Sequence, residues 1–361
     1  MSSKIISLSY PTITSYPGRA NLCALLEGEP NSLSWVMENF IQTESLYQHD
    51  KENFDVDFFN IPQINYISHT AVEPQMALCP LISYNALKRW YIKKHYKDYT
   101  KCIKEWLNNE YCVNLIGDIF YIPCYKSQKH FAHQMLVFGY DDINQIFHIA
   151  DFFENWKYMF STCTYSELEE AICSIDRMTS DDPALKYLSY FVEDMTDVFF
   201  IKKNDNYENK FDIERVKITL VDYLGDTNLC ETIYRCTNRW HTNENNERVF
   251  GIKHYDNMIQ YLQQCEEINK VAYNFRAFHV VSDHKVALLH RIKYLLQNEY
   301  LNDWQMLTYF ENVSSICTQI RNKIIKDSVT NQVTKCSKII DDIIGVKELE
   351  TQLLRNILCN I

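Results

Sequence analysis

Residues 133–151 read HQMLVFGYDDINQIFHIAD. A histidine opens the apolar run Met135-Leu136-Val137-Phe138. A polar turn is expected at Gly139-Tyr140-Asp141-Asp142, and a second apolar run, Ile146, Phe147 and Ile149, closes on an aspartate. Two such runs around a short polar connection predict a β-hairpin. Folded about Asp142, the hairpin sets His133 opposite Asp151 at its open end, where a carboxylate can fix the orientation of an imidazole. An imidazole held in this way needs a proton to take, and among 13 cysteines the candidate donor is Cys23. It follows a Pro17-Gly18 turn and is expected to open a short apolar helix. There the helix dipole and free backbone N–H groups would favour the thiolate and hold an oxyanion. Read singly, Cys23 is more often a small buried hydrophobe, and His133 fits a satisfied core histidine. The strand–turn–strand context between His133 and Asp151 is what gives the set its weight.

Working outward, residues 1–30 are loop-like around the patch Leu22–Leu26, and 31–42 read as a helix capped by Asn31 or Ser32. Residues 54–82 show no clear period. A helical stretch follows over 83–109, divisible into two helices, and then a strand over 111–121 that Pro123 stops. Residues 165–178 look helical and 187–202 partly strand-like. The polar stretch 202–212 marks a change of character: beyond it helical periodicities run over 213–224, 254–265, 285–297, 304–326 and 334–358. The expected fold is α+β over residues 1–205 followed by a helical domain over 206–361.

The chain has 361 residues, 46% of them hydrophobic and only 7 Gly and 8 Pro, which suits a globular protein with a full core. A net charge of −11 disfavours nucleic acid or an anionic membrane as the main partner. The first residues carry no signal-peptide pattern, no run reaches membrane-spanning length, and no C-x-x-C occurs, so a cytoplasmic protein with reduced thiols is expected. Cys112, Cys124, His130 and His133 are conceivable zinc ligands, but their spacing matches no compact zinc module, and neither a metal nor another cofactor is expected. One local feature runs against the overall charge: Lys88, Arg89, Lys93, Lys94, Lys97 and Lys101 face a single Asp98 within residues 87–101. That pattern is either a solvated helix face or a docking patch for an acidic protein.

The core H-x-x-L-V-x-G-Y-D-D…D, with Cys23 upstream, resembles the papain-like acyltransferases of natural-product gene clusters, of the butirosin acyltransferase type. The cysteine-protease-like amide synthetases of polythioamide assembly are similar, and the peptidase domains of peptide exporters are so more distantly. Residues 117–125, 250–262 and 278–295 extend the resemblance over most of the chain. It implies a papain-like domain, a catalytic Cys23, His133 and Asp151, and an acyl chain delivered as a thioester on the phosphopantetheine of a carrier protein. Cys23 would take that acyl chain and pass it to a small amine, forming an amide. The basic segment would dock the carrier. Asn21 is a candidate oxyanion donor, and Asp118, Tyr121 and Tyr125 are candidates for lining a pocket for a cationic amine. One departure stands out: the Gln that papain-like enzymes keep six residues before the nucleophile is Pro17 here. Asn21, Arg19 or a backbone group would have to serve instead. A cytoplasmic cysteine peptidase or amidase and a non-catalytic binding module are the alternatives. Asn155 is the reserve orienter for His133.

Overall fold

The computed structural model describes residues 2–49, 53–59, 79–154, 157–178, 182–184, 197–237, 248–272, 274–332 and 335–361. Its elements in chain order begin with β1 (Ser3–Ile5), α1 (Pro17–Leu26), α2 (Pro30–Glu38), β2 (Thr43–Gln48), β3 (Asn53–Phe58) and β4 (Ile82–Leu87). Next come α3 (Arg89–His95), α4 (Tyr99–Asn108), β5 (Cys112–Asp118), β6 (Ala132–Asp141), β7 (Ile146–Phe152), β8 (Tyr158–Thr164), α5 (Tyr165–Arg177) and β9 (Val198–Lys203). The rest is α6 (Ile213–Tyr223), α7 (Leu229–Thr237), β10 (Arg248–Phe250), α8 (His254–Glu267), α9 (Phe275–Gln297), α10 (Gln305–Thr330) and α11 (Cys336–Asn360). The protein is α+β, with an antiparallel sheet and a mainly helical C-terminal half. No helix among the described residues is long and apolar enough to cross a membrane.

The chain divides into two compact units, and the division corrects the expected single cut at 205/206. The first unit is residues 1–32 with 64–209; the second is 33–63 with 210–361. Residues 33–63 belong to the second unit because β2 pairs on one side with β3 and on the other with β10, so strands from early in the chain complete a late helical assembly. The sequence of 54–82 hid this, since one strand of a three-stranded sheet is too short to show a period.

The first unit is built on a seven-stranded sheet in the order β4-β9-β5-β6-β7-β8, with β1 added beside β6. Val113, Leu115, Met135, Val137 and Ile149 pack from one face into a core with Cys102, Ile103 and Leu107 of α4 and Leu168, Ala171 and Ile172 of α5. Helix α5 starts with a capping box between Thr164 and Glu167, a signal visible in the sequence. The helical expectation over 83–109 holds only beyond residue 88. Residues 82–87 form β4 against β9, and Asp98 caps the second helix by accepting from Lys101 N at 2.7 Å. Residues 187–196, read as partly strand-like, lie outside the described residues; the remainder of that stretch continues into β9.

In the second unit α8 packs on β2 and α9 on β3, with α10 and α11 behind. Its interior holds a fully buried polar network. Lys285 Nζ meets Glu350 Oε1 at 2.8 Å and Tyr223 OH at 2.9 Å, while the Tyr255 hydroxyl donates to Glu350 Oε2 at 2.6 Å. His284 lies 3.0 Å from Lys285 Nζ and its Nε2 donates to Ile41 O at 2.6 Å. Arg291, also buried, donates to Met37 O at 2.6 Å near the C-terminal end of α2, where carbonyls carry partial negative charge.

Candidate active site

Strands β6 and β7 form the predicted hairpin, but its turn and register differ from expectation. The ladder closes at Asp141↔Ile146, so the turn is 142–145, with Gln145 at φ 53° and the Asp141 carboxylate accepting from Ile143 N and Asn144 N. Gly139 serves another purpose. It lies within β6 beside Ile5 of β1, and a Cβ there would sit 2.6 Å from Lys4 O.

From the turn, the ladder runs Asp141↔Ile146, Tyr140↔Phe147, Gly139↔His148. Continued unchanged, it would set Asp151 level with Leu136, on the face of the sheet opposite to His133. A bulge intervenes: beyond it the pairs are Val137↔Ile149 and Leu136↔Ala150, with Phe138 as the extra residue. Asp151 is thereby level with Met135, on the same face as His133, and the two meet diagonally rather than head-on. The freed Phe138 carbonyl accepts from Ile6 N at 2.8 Å. One inserted residue thus brings the imidazole and carboxylate together.

They meet with His133 Nδ1 2.6 Å from Asp151 Oδ2. Asp151 is fully buried and the His133 side chain is 12% exposed. The Tyr125 hydroxyl donates to the same Asp151 oxygen, and its ring packs on Phe153 with centroids 4.8 Å apart. Burial, and after it the Asp151 carboxylate, push the Tyr125 phenol far above its ordinary pKa, so it stays a proton donor. Asp151 Oδ1 is buried and has no hydrogen-bond partner among the described residues. With Nδ1 donating to Asp151, the neutral imidazole keeps its lone pair on Nε2, the form of a general base. Asn155, the reserve orienter, lies outside the described residues.

Cys23 is not placed as expected. It is the seventh residue of α1, whose first is Pro17, and it is fully buried. The first-turn N–H groups and the positive end of the dipole act near Gly18, so the argument that the dipole activates Cys23 fails. Helix α1 packs on β6 and β7, the strands that carry His133 and Asp151. Asn21 Nδ2, the group an oxyanion donor would use, is buried with no hydrogen-bond partner among the described residues. Its Oδ1 accepts from Tyr158 OH at 2.9 Å, and residues two apart on a helix do not share a face. Arg19 is also buried, its guanidinium 4.8 Å from the Tyr16 ring centre.

Two of the amine-pocket candidates, Asp118 and Tyr125, are engaged within the protein. Asp118 is fully buried and its oxygens are taken by His130 Nδ1 at 2.7 Å, Ser174 Oγ at 2.8 Å, Phe131 N and Phe120 N. It closes the loop 118–131 and has no capacity left for a cationic substrate. Tyr121 packs near His130, and Tyr125 serves Asp151. Sequence reasoning missed the His130–Asp118 pair, the role of Tyr125 and the Tyr158–Asn21 bond, because each joins residues whose separation carries no pattern. Cys124, weighed only as a metal ligand, carries a half-buried thiol raised chiefly by burial and to a lesser degree by the nearby Asp151. Among the described residues no three His, Cys, Asp or Glu side chains converge in a metal-holding group.

The basic segment divides. Arg89 is buried and structural: it donates to Ile116 O at 2.6 Å and Ile172 O at 3.2 Å and pairs with Asp176. Arg89 is therefore no part of a docking patch. Lys88 pairs with Asp197 at 2.9 Å and Lys93 with Asp176 at 2.8 Å. Lys94, Lys97 and Lys101 are exposed. Neither a protein-family model nor a curated protein matches this chain.

Proposed function

We propose that the chain is a papain-like acyltransferase that forms an amide from a carrier-bound thioester and a small amine. The observation that carries this reading is the 2.6 Å contact between His133 Nδ1 and the buried Asp151, which leaves Nε2 as the basic atom. In the proposed sequence His133 takes the Cys23 proton and the thiolate attacks the thioester carbonyl. The carrier thiol leaves with that proton, and Cys23 holds the acyl group as a new thioester. Exchange of one thioester for another is nearly balanced in energy. His133 then takes a proton from the attacking amine, the amide forms, and the Cys23 thiol is restored. Because Cys23 is fully buried, acylation requires α1 or its cover to move first, so the first step is gated.

That same burial favours a second reading, a non-catalytic module that keeps the fold. Mass spectrometry of the protein mixed with an acyl-phosphopantetheine thioester tests both. The acyltransferase reading expects a single adduct on Cys23, absent from Cys23→Ala and slowed by a factor of about 10² or more in His133→Ala. No adduct with any thioester, together with limiting iodoacetamide that modifies the exposed Cys359 and leaves Cys23 untouched, would establish the module instead.

A further inference from the structure

We infer that the outward face of α3, centred on Trp90, is the docking surface for an acidic protein; only the identity of that protein, the thioester carrier, rests on the acyl-transfer reading above. The seven-residue helix has two sides. Arg89 and Ile92 are buried, and Lys93 turns with them toward Asp176 of α5. On the other side Trp90 is 63% exposed and Tyr91 39% exposed. Lys94 lies one turn on from Trp90, and His95 packs against Tyr91 with ring centroids 4.2 Å apart. Lys94, Lys97 and Lys101 make no ion pair with any described residue, whereas Lys88 and Lys93 of the same segment do.

An exposed indole one helical turn from the unpaired Lys94, with Lys97 and Lys101 following in the chain, is the composition of an interface anchor within an electrostatically steered surface. The three lysines stand out against a chain of net charge −11, which weakens the hold on any extended polyanion and leaves a compact acidic protein as the better fit. Arg89 fastens α3 to Ile116 O, and the next residue, Gly117, is level with His133 across β5 and β6. The helix that would carry the partner is thus tied to β5, the strand paired with the one that carries the base.

The test titrates the full chain with a holo carrier protein at low and high salt, alongside Trp90→Ala and the triple reversal Lys94→Glu, Lys97→Glu, Lys101→Glu. Trp90→Ala should weaken binding about tenfold or more and keep the salt dependence. The triple reversal should weaken it about as much at low salt and approach the wild type at high salt. Neither should move the unfolding midpoint, since all four side chains are exposed. Wild-type affinity in Trp90→Ala would overturn the proposal, as would no carrier binding by the wild type or tighter binding to duplex DNA or anionic vesicles. Normal acylation by a small thioester with carrier binding untouched by the substitutions removes the docking site and leaves acyl transfer. Carrier binding lost as expected, with no acyl group ever moving, does the reverse.

Discussion

Tyr125→Phe isolates what holds the Asp151 carboxylate. That carboxylate is fully buried; one oxygen accepts from both His133 and Tyr125, and the other has no partner among the described residues. The substitution deletes one of two donors to a charge that has no water to turn to, and leaves the ring against Phe153 without opening a cavity. A hydrogen bond to a buried charged group is worth about 1.5–3 kcal/mol. The first unit should therefore lose about 1.5–3 kcal/mol in urea unfolding, or roughly 3–12 °C in midpoint for a unit of its size. The same change made on an Asp151→Asn background meets a neutral acceptor and should cost only about 0.5–1.5 kcal/mol, so the two substitutions couple. A loss below about 0.5 kcal/mol in the wild-type background, with an unchanged denaturant slope, would refute the reasoning, because the hydroxyl could not then be serving a buried carboxylate.

Two predictions concern the second unit. Glu350→Gln strands the fully buried Lys285 with only neutral partners and should cost about 3–5 kcal/mol in urea unfolding, while adding Lys285→Met should recover part of it, since no charge is then stranded and the amide carbonyl at position 350 can still accept from a tyrosine hydroxyl; a mild single variant would show that the pair is not charged. Burial first, and Lys285 second, hold His254 and His284 well below the ordinary histidine pKa. Below about pH 6.5 the unfolded chain therefore takes up protons that the folded one refuses, and stability should fall on acidification by about 1.4 kcal/mol per histidine per pH unit. A stability flat between pH 6.5 and 5.5, which His254→Gln leaves equally flat, would contradict it.

Much of the first unit was readable because its signals are local. The Thr164-x-x-Glu167 box starts α5, Asp98 caps the start of α4, and the runs on either side of residues 142–145 make the hairpin. What was misread required distant partners. Residues 82–87 resemble the start of a helix until β9 pairs with them, and residues 53–58 become a strand only beside β2. The thiol was misplaced for a related reason: Pro17 is a strong helix-start signal, and it begins α1 six residues before Cys23 rather than at it.

The candidate pair shows most clearly where sequence reading stops. A turn about Asp142 predicted His133 and Asp151 directly opposite; the real turn lies further on, which by itself would have put them on opposite faces of the sheet. Phe138 corrects this error of one residue by bulging out. Its carbonyl is satisfied by Ile6, and the adjoining Gly139 lets β1 come close enough to supply that bond, since any side chain there would collide with Lys4 O. The amino-terminal strand therefore helps set the register of a hairpin more than 130 residues away. Glycine in an otherwise apolar strand is the visible trace of that arrangement: what read as a turn residue is the place where one backbone must pass close to another. The juxtaposition of His133 and Asp151 was foreseen from the right residues through the wrong register, and it holds because β1, Gly139 and the Phe138 bulge act as one device.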